Sequence, residues 1–96
     1  MPIPVTLGGQ APISYQQITS LSSAAALTVP PGAASAVVVA ETQAVRWRGD
    51  GTDPTASVGM PLAAGAYITF GTRAEILALK FIEQTASAKL NVYYYG

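Results

Sequence analysis

Short β-prone runs separated by turn signals fill this chain and leave no helix long enough to pack a core. Seven prolines and nine glycines are spread through 96 residues. The β-prone runs themselves are short, apolar and rich in β-branched and aromatic residues. That cadence of short strands punctuated by turns points to an all-β sandwich or barrel.

The first β-prone run is "ISYQQIT" (13–19), and "AAALTV" (24–29) follows, stopping at the Pro30-Pro31-Gly32 turn. "SAVVVAE" (35–41) is apolar enough to be a central strand covered on both faces. "AVRWR" (44–48) alternates, with Val45 and Trp47 on one face and Arg46 and Arg48 on the other. "VGMPLA" (58–63) reads as an edge strand, because Pro61 cannot donate to a ladder. "AYITF" (66–70) is another strand, ending at Gly71. "EILALKFIE" (75–83) is compatible with helix or strand. Its β-regular flanks favour strand, with Leu77, Leu79 and Phe81 alternating against Ile76, Ala78, Lys80 and Ile82. In "AKLNVYYY" (88–95), Leu90, Val92 and Tyr94 point one way and Lys89, Asn91, Tyr93 and Tyr95 the other. About eight strands result, and the expected fold is a compact all-β sandwich of jelly-roll type. It occupies residues 13–96 behind an extended N-terminal arm, residues 1–12, where Pro2, Pro4, Pro12, Gly8 and Gly9 disfavour both ladder and helix.

Composition narrows the function. A domain this size buries roughly 60 to 65% of its unfolded surface and is marginal alone. The chain has no Cys, so no disulfide compensates. Five basic and five acidic residues make up 10% of the sequence, against about 25% in an ordinary soluble domain. So little charge protects poorly against association, which favours a homo-oligomer. No basic stripe exists to displace counterions from nucleic acid. No run approaches the roughly 20 apolar residues of a membrane helix. The N-terminus lacks the pattern of a signal peptide, so synthesis in a cytoplasm is expected.

Catalysis is disfavoured. With neither His nor Cys, the usual proton shuttle, thiol nucleophile and zinc ligands are missing. Asp50 and Asp53 are the only close carboxylate pair, and nothing in the sequence desolvates them. "GDGTDPTASVG" lacks the Lys and following helix of a phosphate loop. The same stretch offers hard oxygen ligands for calcium, but Thr52 and Pro54 break the EF-hand spacing. Turn chemistry explains its Asp and Gly residues more simply. No cofactor or metal is expected. Arg48-Gly49-Asp50 spells the tripeptide read by cell-adhesion receptors, yet Arg48 ends a strand and Pro54 stiffens the far side. The tripeptide is read as coincidence. Trp47 is a candidate core or interface anchor, or a stacking partner for a guanidinium. Tyr93 and Tyr95, outward on the last strand, are candidate interface residues together with Tyr15 and Trp47, because exposed tyrosines give rigid contact area at low entropic cost.

"LTVPPGA", "AVRWRGDGTDPTASVGMPLAAG" and "LKFIEQTASAKLNVYYYG" together resemble a family of small proteins encoded by tailed bacteriophages and prophages. The similarity runs from about residue 15 to the C-terminus, across an aromatic-basic strand, a "DGT-PT" loop, "VGMPL-AG", "KFI" and a closing "L-V-YY". Related chains tend to carry Asp before the "DGT" where this one has Gly49, which makes the adhesion tripeptide incidental. The resemblance implies a structural role in or on the virion and no catalysis. The first expectation is a capsid decoration or cement protein, a homotrimer bridging subunits of the major capsid protein or other virion proteins. A tail, collar or fibre-adaptor component is the alternative. A receptor- or glycan-binding module with a calcium-assisted loop at residues 49–54 stands further off.

Overall fold

Alternation along the strands sorts the side chains into an inner and an outer set. The computed structural model describes residues 11–96, so the arm assigned to residues 1–12 lies almost wholly outside the described residues. The strands are β1 (Ser14–Ile18), β2 (Ala25–Ala26), β3 (Ser35–Glu41), β4 (Val45–Arg48), β5 (Met60–Leu62), β6 (Tyr67–Phe70), β7 (Lys80–Glu83) and β8 (Lys89–Tyr95), with one helix, α1 (Arg73–Ala78), before β7. They form two four-stranded sheets, ordered β1-β8-β3-β6 and β2-β7-β4-β5. Every pairing is antiparallel. The pairs are nested: β1 with β8, β2 with β7, β3 with β6, β4 with β5. Two further pairings, β3·β8 and β4·β7, join these hairpin-like pairs side by side.

The two sheets share one core. Ala36, Val38 and Ala40 of β3 lie opposite Tyr94, Val92 and Leu90 of β8 in register, and all six are buried. Phe70, Val45, Leu62 and Phe81 join them, with Leu21, Leu27, Ile76, Leu79 and Ala88 contributed by the connections. Tyr94 is buried whole, and its hydroxyl donates to Gln16 Oε1 at 2.5 Å. Burial pushes its pKa up to about 12.

Strand β2 is shorter than the run at 24–29 predicts. Past Ala26 the Thr28 amide donates to the Gln16 side chain rather than to a ladder, although Leu27 and Val29 still reach the core.

The larger correction falls on residues 75–83, expected as one strand. Arg73–Ala78 is helical and only Lys80–Glu83 is strand. Thr72 is the N-cap, and its hydroxyl accepts from the Glu75 amide at 3.2 Å. Glu75 Oε1 accepts in turn from the Gly71 amide at 3.3 Å, a near relative of the capping box. Ile76 and Leu79 are therefore the buried pair at helical spacing, and Leu77, which strand alternation groups with Leu79 and Phe81, is 57% exposed. Leu79 returns to extended backbone (φ −71°, ψ 138°) and leads into β7.

Successive connections alternate between the two ends of the sheets. Residues 27–34, 49–59 and 71–79 gather at one end, where Arg73 donates to the carbonyls of Pro30 (3.1 Å) and Ala33 (2.7 Å). The other connections meet at the opposite end, through Glu83 N to Leu21 O and Gln84 N to Ala44 O.

Candidate functional site

Two outward regions concentrate the chemistry: the loop at residues 49–59 and the outer face of the β1-β8-β3-β6 sheet. The loop joins β4 to β5, and its shape is held mainly by side chains. Arg46 Nη1 donates to Gly59 O at 2.8 Å and its Nε to Ala56 O at 3.2 Å, tying the far arm of the loop back to β4. Thr55 Oγ1 accepts from Ser57 N and Val58 N, closing a tight turn. Pro54 is buried beneath it. Gly59 takes φ +142°, and a Cβ there would sit 3.1 Å from Pro54 Cβ and 3.2 Å from both Arg46 Cβ and Trp47 O. Only glycine fits that contact without displacement.

The two charges of the adhesion tripeptide hold each other. Arg48 Nε and Nη2 donate to Asp50 Oδ1 and Oδ2 at 3.0 and 2.5 Å, a bidentate pair. Asp50 Oδ1 also accepts from Thr52 N at 3.4 Å. The hydrogen-bonded Arg48 guanidinium holds the Asp50 carboxyl below the usual carboxylate range, and Asp50 in turn raises the Arg48 pKa. A receptor reading this tripeptide needs both groups free, whereas here each is the other's partner. Asp53 is likewise taken, by Lys80 Nζ at 2.9 Å. The two carboxylates considered for calcium thus point to separate cations. Among the described residues no three His, Cys, Asp or Glu side chains converge in a metal-binding group.

Between this loop and α1 lies an open cleft of about 460 Å³. Trp47, Val58, Met60 and Leu79 supply its apolar lining, and Arg48, Asp50 and Glu75 its charged groups. Trp47 is only half-buried. Its ring packs edge-on against Phe70 of the other sheet, centroids 5.1 Å apart, so it joins the two sheets. Among the described residues its aromatic partner is Phe70 and not a guanidinium.

The second region is set by strand register. Tyr15, Tyr93, Val37 and Thr69 form one row across the outer face of the sheet; Gln17, Asn91, Val39 and Tyr67 form the next. Tyr15 and Tyr93 are 54% and 41% exposed, with rings edge-to-face at 5.6 Å. Asn91 knits the second row to its surroundings. Its Oδ1 accepts from the Tyr15 hydroxyl and from Gln17 Nε2 at 3.1 Å, and its Nδ2 donates to Glu41 Oε1 at 2.8 Å. A shallow depression of about 310 Å³ lies among these side chains.

Of the four expected interface residues, Tyr15 and Tyr93 therefore meet on one exposed face, while Trp47 lies away from it in the cleft. Tyr95 is a correction. Alternation directs it outward, yet it is 1% exposed, and its hydroxyl has no hydrogen-bond partner among the described residues. Alternation sets the side from which a side chain leaves the strand, not whether that side is covered. Tyr67 also belongs to the face and is missed by a reading of the last strand alone, because only cross-strand register through Val39 brings it into the row of Asn91. Among the described residues, no helix is long and apolar enough to cross a membrane. Comparison with known protein families, with curated proteins and with solved structures finds no match to this chain.

Proposed function

We propose that this protein is a non-enzymatic structural subunit of a bacteriophage virion, a decoration or cement protein of the capsid. In this reading it self-associates, as a trimer, through the outer face of the β1-β8-β3-β6 sheet and bridges neighbouring subunits of the shell. The observation that carries the proposal is the pair of cross-sheet rows that expose Tyr15, Tyr93 and Tyr67 around the half-buried Val39. Rigid aromatic area with few charges is what a protein interface uses at its centre. The charged residues of this face, Glu41 and Lys89, pair in register at one end, so copies meeting there bring no large like-charge field together.

The fold reading supports such a role. The nested strand order fits a β-sandwich of jelly-roll type, a two-sheet architecture common in capsid and lectin domains. The sequence resemblance to tailed-phage proteins supports the virion assignment. A cement function needs no reacting group. It works by adding buried area across subunit boundaries, and closed cyclic symmetry covers faces that a monomer leaves open.

Sedimentation of the purified chain tests the self-association. A trimer is expected, and Tyr15→Ser with Tyr93→Ser is expected to give monomers whose circular dichroism is unchanged. A wild-type chain that stays monomeric at every concentration sinks the interface. Mass spectrometry of separated heads and tails tests the location: the chain is expected with heads, and recovery with tails instead selects a tail or collar role.

A further inference from the structure

The loop at residues 49–59 absorbs charge out of proportion to its length. The chain carries five basic and five acidic residues. Arg46, Arg48, Asp50, Asp53 and Lys80, half of that total, make their ion pairs or hydrogen bonds within or onto this one loop, with Arg46 tying its far arm to β4. Gly59, packed where no Cβ fits, fixes its far end. A loop needed only to turn the chain from β4 to β5 requires none of this. The pinned loop instead forms one wall of the cleft facing α1, and no side chain of the described residues fills that cleft. Val58 and Met60 on its wall are more than half exposed.

Charge in the cleft is lopsided. Arg48 and Asp50 neutralise each other. The Glu75 carboxylate has no ion-pair partner among the described residues, and its one hydrogen bond there is the 3.3 Å contact from Gly71 N. The cleft therefore presents an apolar lining and, at Glu75, one carboxylate outside any ion pair among the described residues.

We propose that this cleft binds an extended segment of a partner protein, taking an apolar side chain between Trp47, Met60 and Leu79 and a neighbouring Lys or Arg against Glu75. The loop is held in shape before the partner arrives, so little ordering entropy opposes binding. The assignment rests on the cleft alone and is independent of the assembly reading above. The cleft lies at the end of the sheets, apart from the tyrosine face.

The test is a titration of the full-length, isotope-labelled chain by amide NMR with two probes, Ac-Leu-Arg-NH2 and Ac-Leu-Glu-NH2. The arginine peptide is expected to shift Gly49, Val58, Gly59, Met60, Leu79 and the Trp47 indole saturably. It is expected to bind about two- to five-fold tighter than the glutamate peptide, the worth of a single surface ion pair. Glu75→Gln, which keeps the side-chain oxygen that accepts from Gly71, is expected to abolish that preference while retaining the weaker apolar binding. Absence of saturable shifts, equal binding of the two peptides, a preference that survives Glu75→Gln, or shifts confined to the Tyr15–Tyr93 face would each overturn the proposal.

Discussion

The tyrosine face and the loop at residues 49–59 both point away from the core, but different forces fix them. On the face, the backbone ladder does the positioning. Register places Tyr15 opposite Tyr93 and Gln17 opposite Asn91, and side-chain hydrogen bonds only refine what pairing has set. In the loop there is little ladder to lean on. Arg46 reaches across to Gly59 O, Arg48 holds Asp50, and Lys80 holds Asp53. A face built by register tolerates exchange of its outward side chains, because its geometry lives in the backbone. A loop built by side chains depends on close packing at a few points, above all where Gly59 meets Pro54.

That contrast can be broken first at the end of β8, where neighbouring tyrosines differ in cover. Tyr95→Ala is expected to lower the unfolding free energy by about 3 to 5 kcal/mol, the cost of emptying a large buried aromatic site. Tyr93→Ser, two residues away and exposed, is expected to cost less than about 1 kcal/mol in the monomer. Urea denaturation of both variants decides it, and equal losses would erase the distinction between covered and open parts of the face.

Alkaline titration gives the next effect. Tyr94 has its pKa raised from 10.0 to about 12 by burial, so the folded state keeps a proton that the unfolded state gives up. Its contribution is complete below about pH 10 and is lost as pH rises from there toward 12. Stability measured by denaturant across that window is expected to fall in the wild type and to fall less steeply in Tyr94→Phe.

Gly59→Ala sharpens the loop side of the comparison. A left-handed backbone and contacts at 3.1–3.2 Å predict a loss of about 1 to 3 kcal/mol, read by thermal unfolding, with amide shifts concentrated in residues 49–60. The smallest effect is expected from Asp50→Asn combined with Asp53→Asn. Both ion pairs are largely solvent-exposed and surface pairs are weak, so the melting temperature should hardly move. A large drop would mean that the charges, rather than Arg46, Thr55 and Gly59, carry the loop.

Local pattern made much of this protein legible. The stretch at 35–41 is β3 to the residue, and Leu90, Val92 and Tyr94 are the inward set of β8, because strand periodicity depends only on neighbouring residues. The helix was legible as well: Thr72 followed three residues later by Glu75 is a capping signal. The expectation of a strand made no use of that signal and rested on the alternation of Leu77, Leu79 and Phe81 and on the β-regular surroundings, since a short apolar run fits both periods.

The candidate sites were legible only in part. Tyr15 and Tyr93 stand out by residue type, but their meeting depends on β1 pairing with β8 from the far end of the chain. Asp53 and Lys80, 27 residues apart, come together only because β7 lies beside β4. The cleft has no signature in the sequence, because its walls come from β4, β5, the connecting loop and the end of α1. By itself, then, the sequence determined where strands run, which side of each is apolar and how little charge the surface carries, all properties of short range or of composition. Tertiary structure decided which strands pair, which outward side chains are covered, as with Tyr95, and which charges find each other. Those outcomes depend on long-range pairing, and a local pattern is compatible with many pairings until the whole core closes.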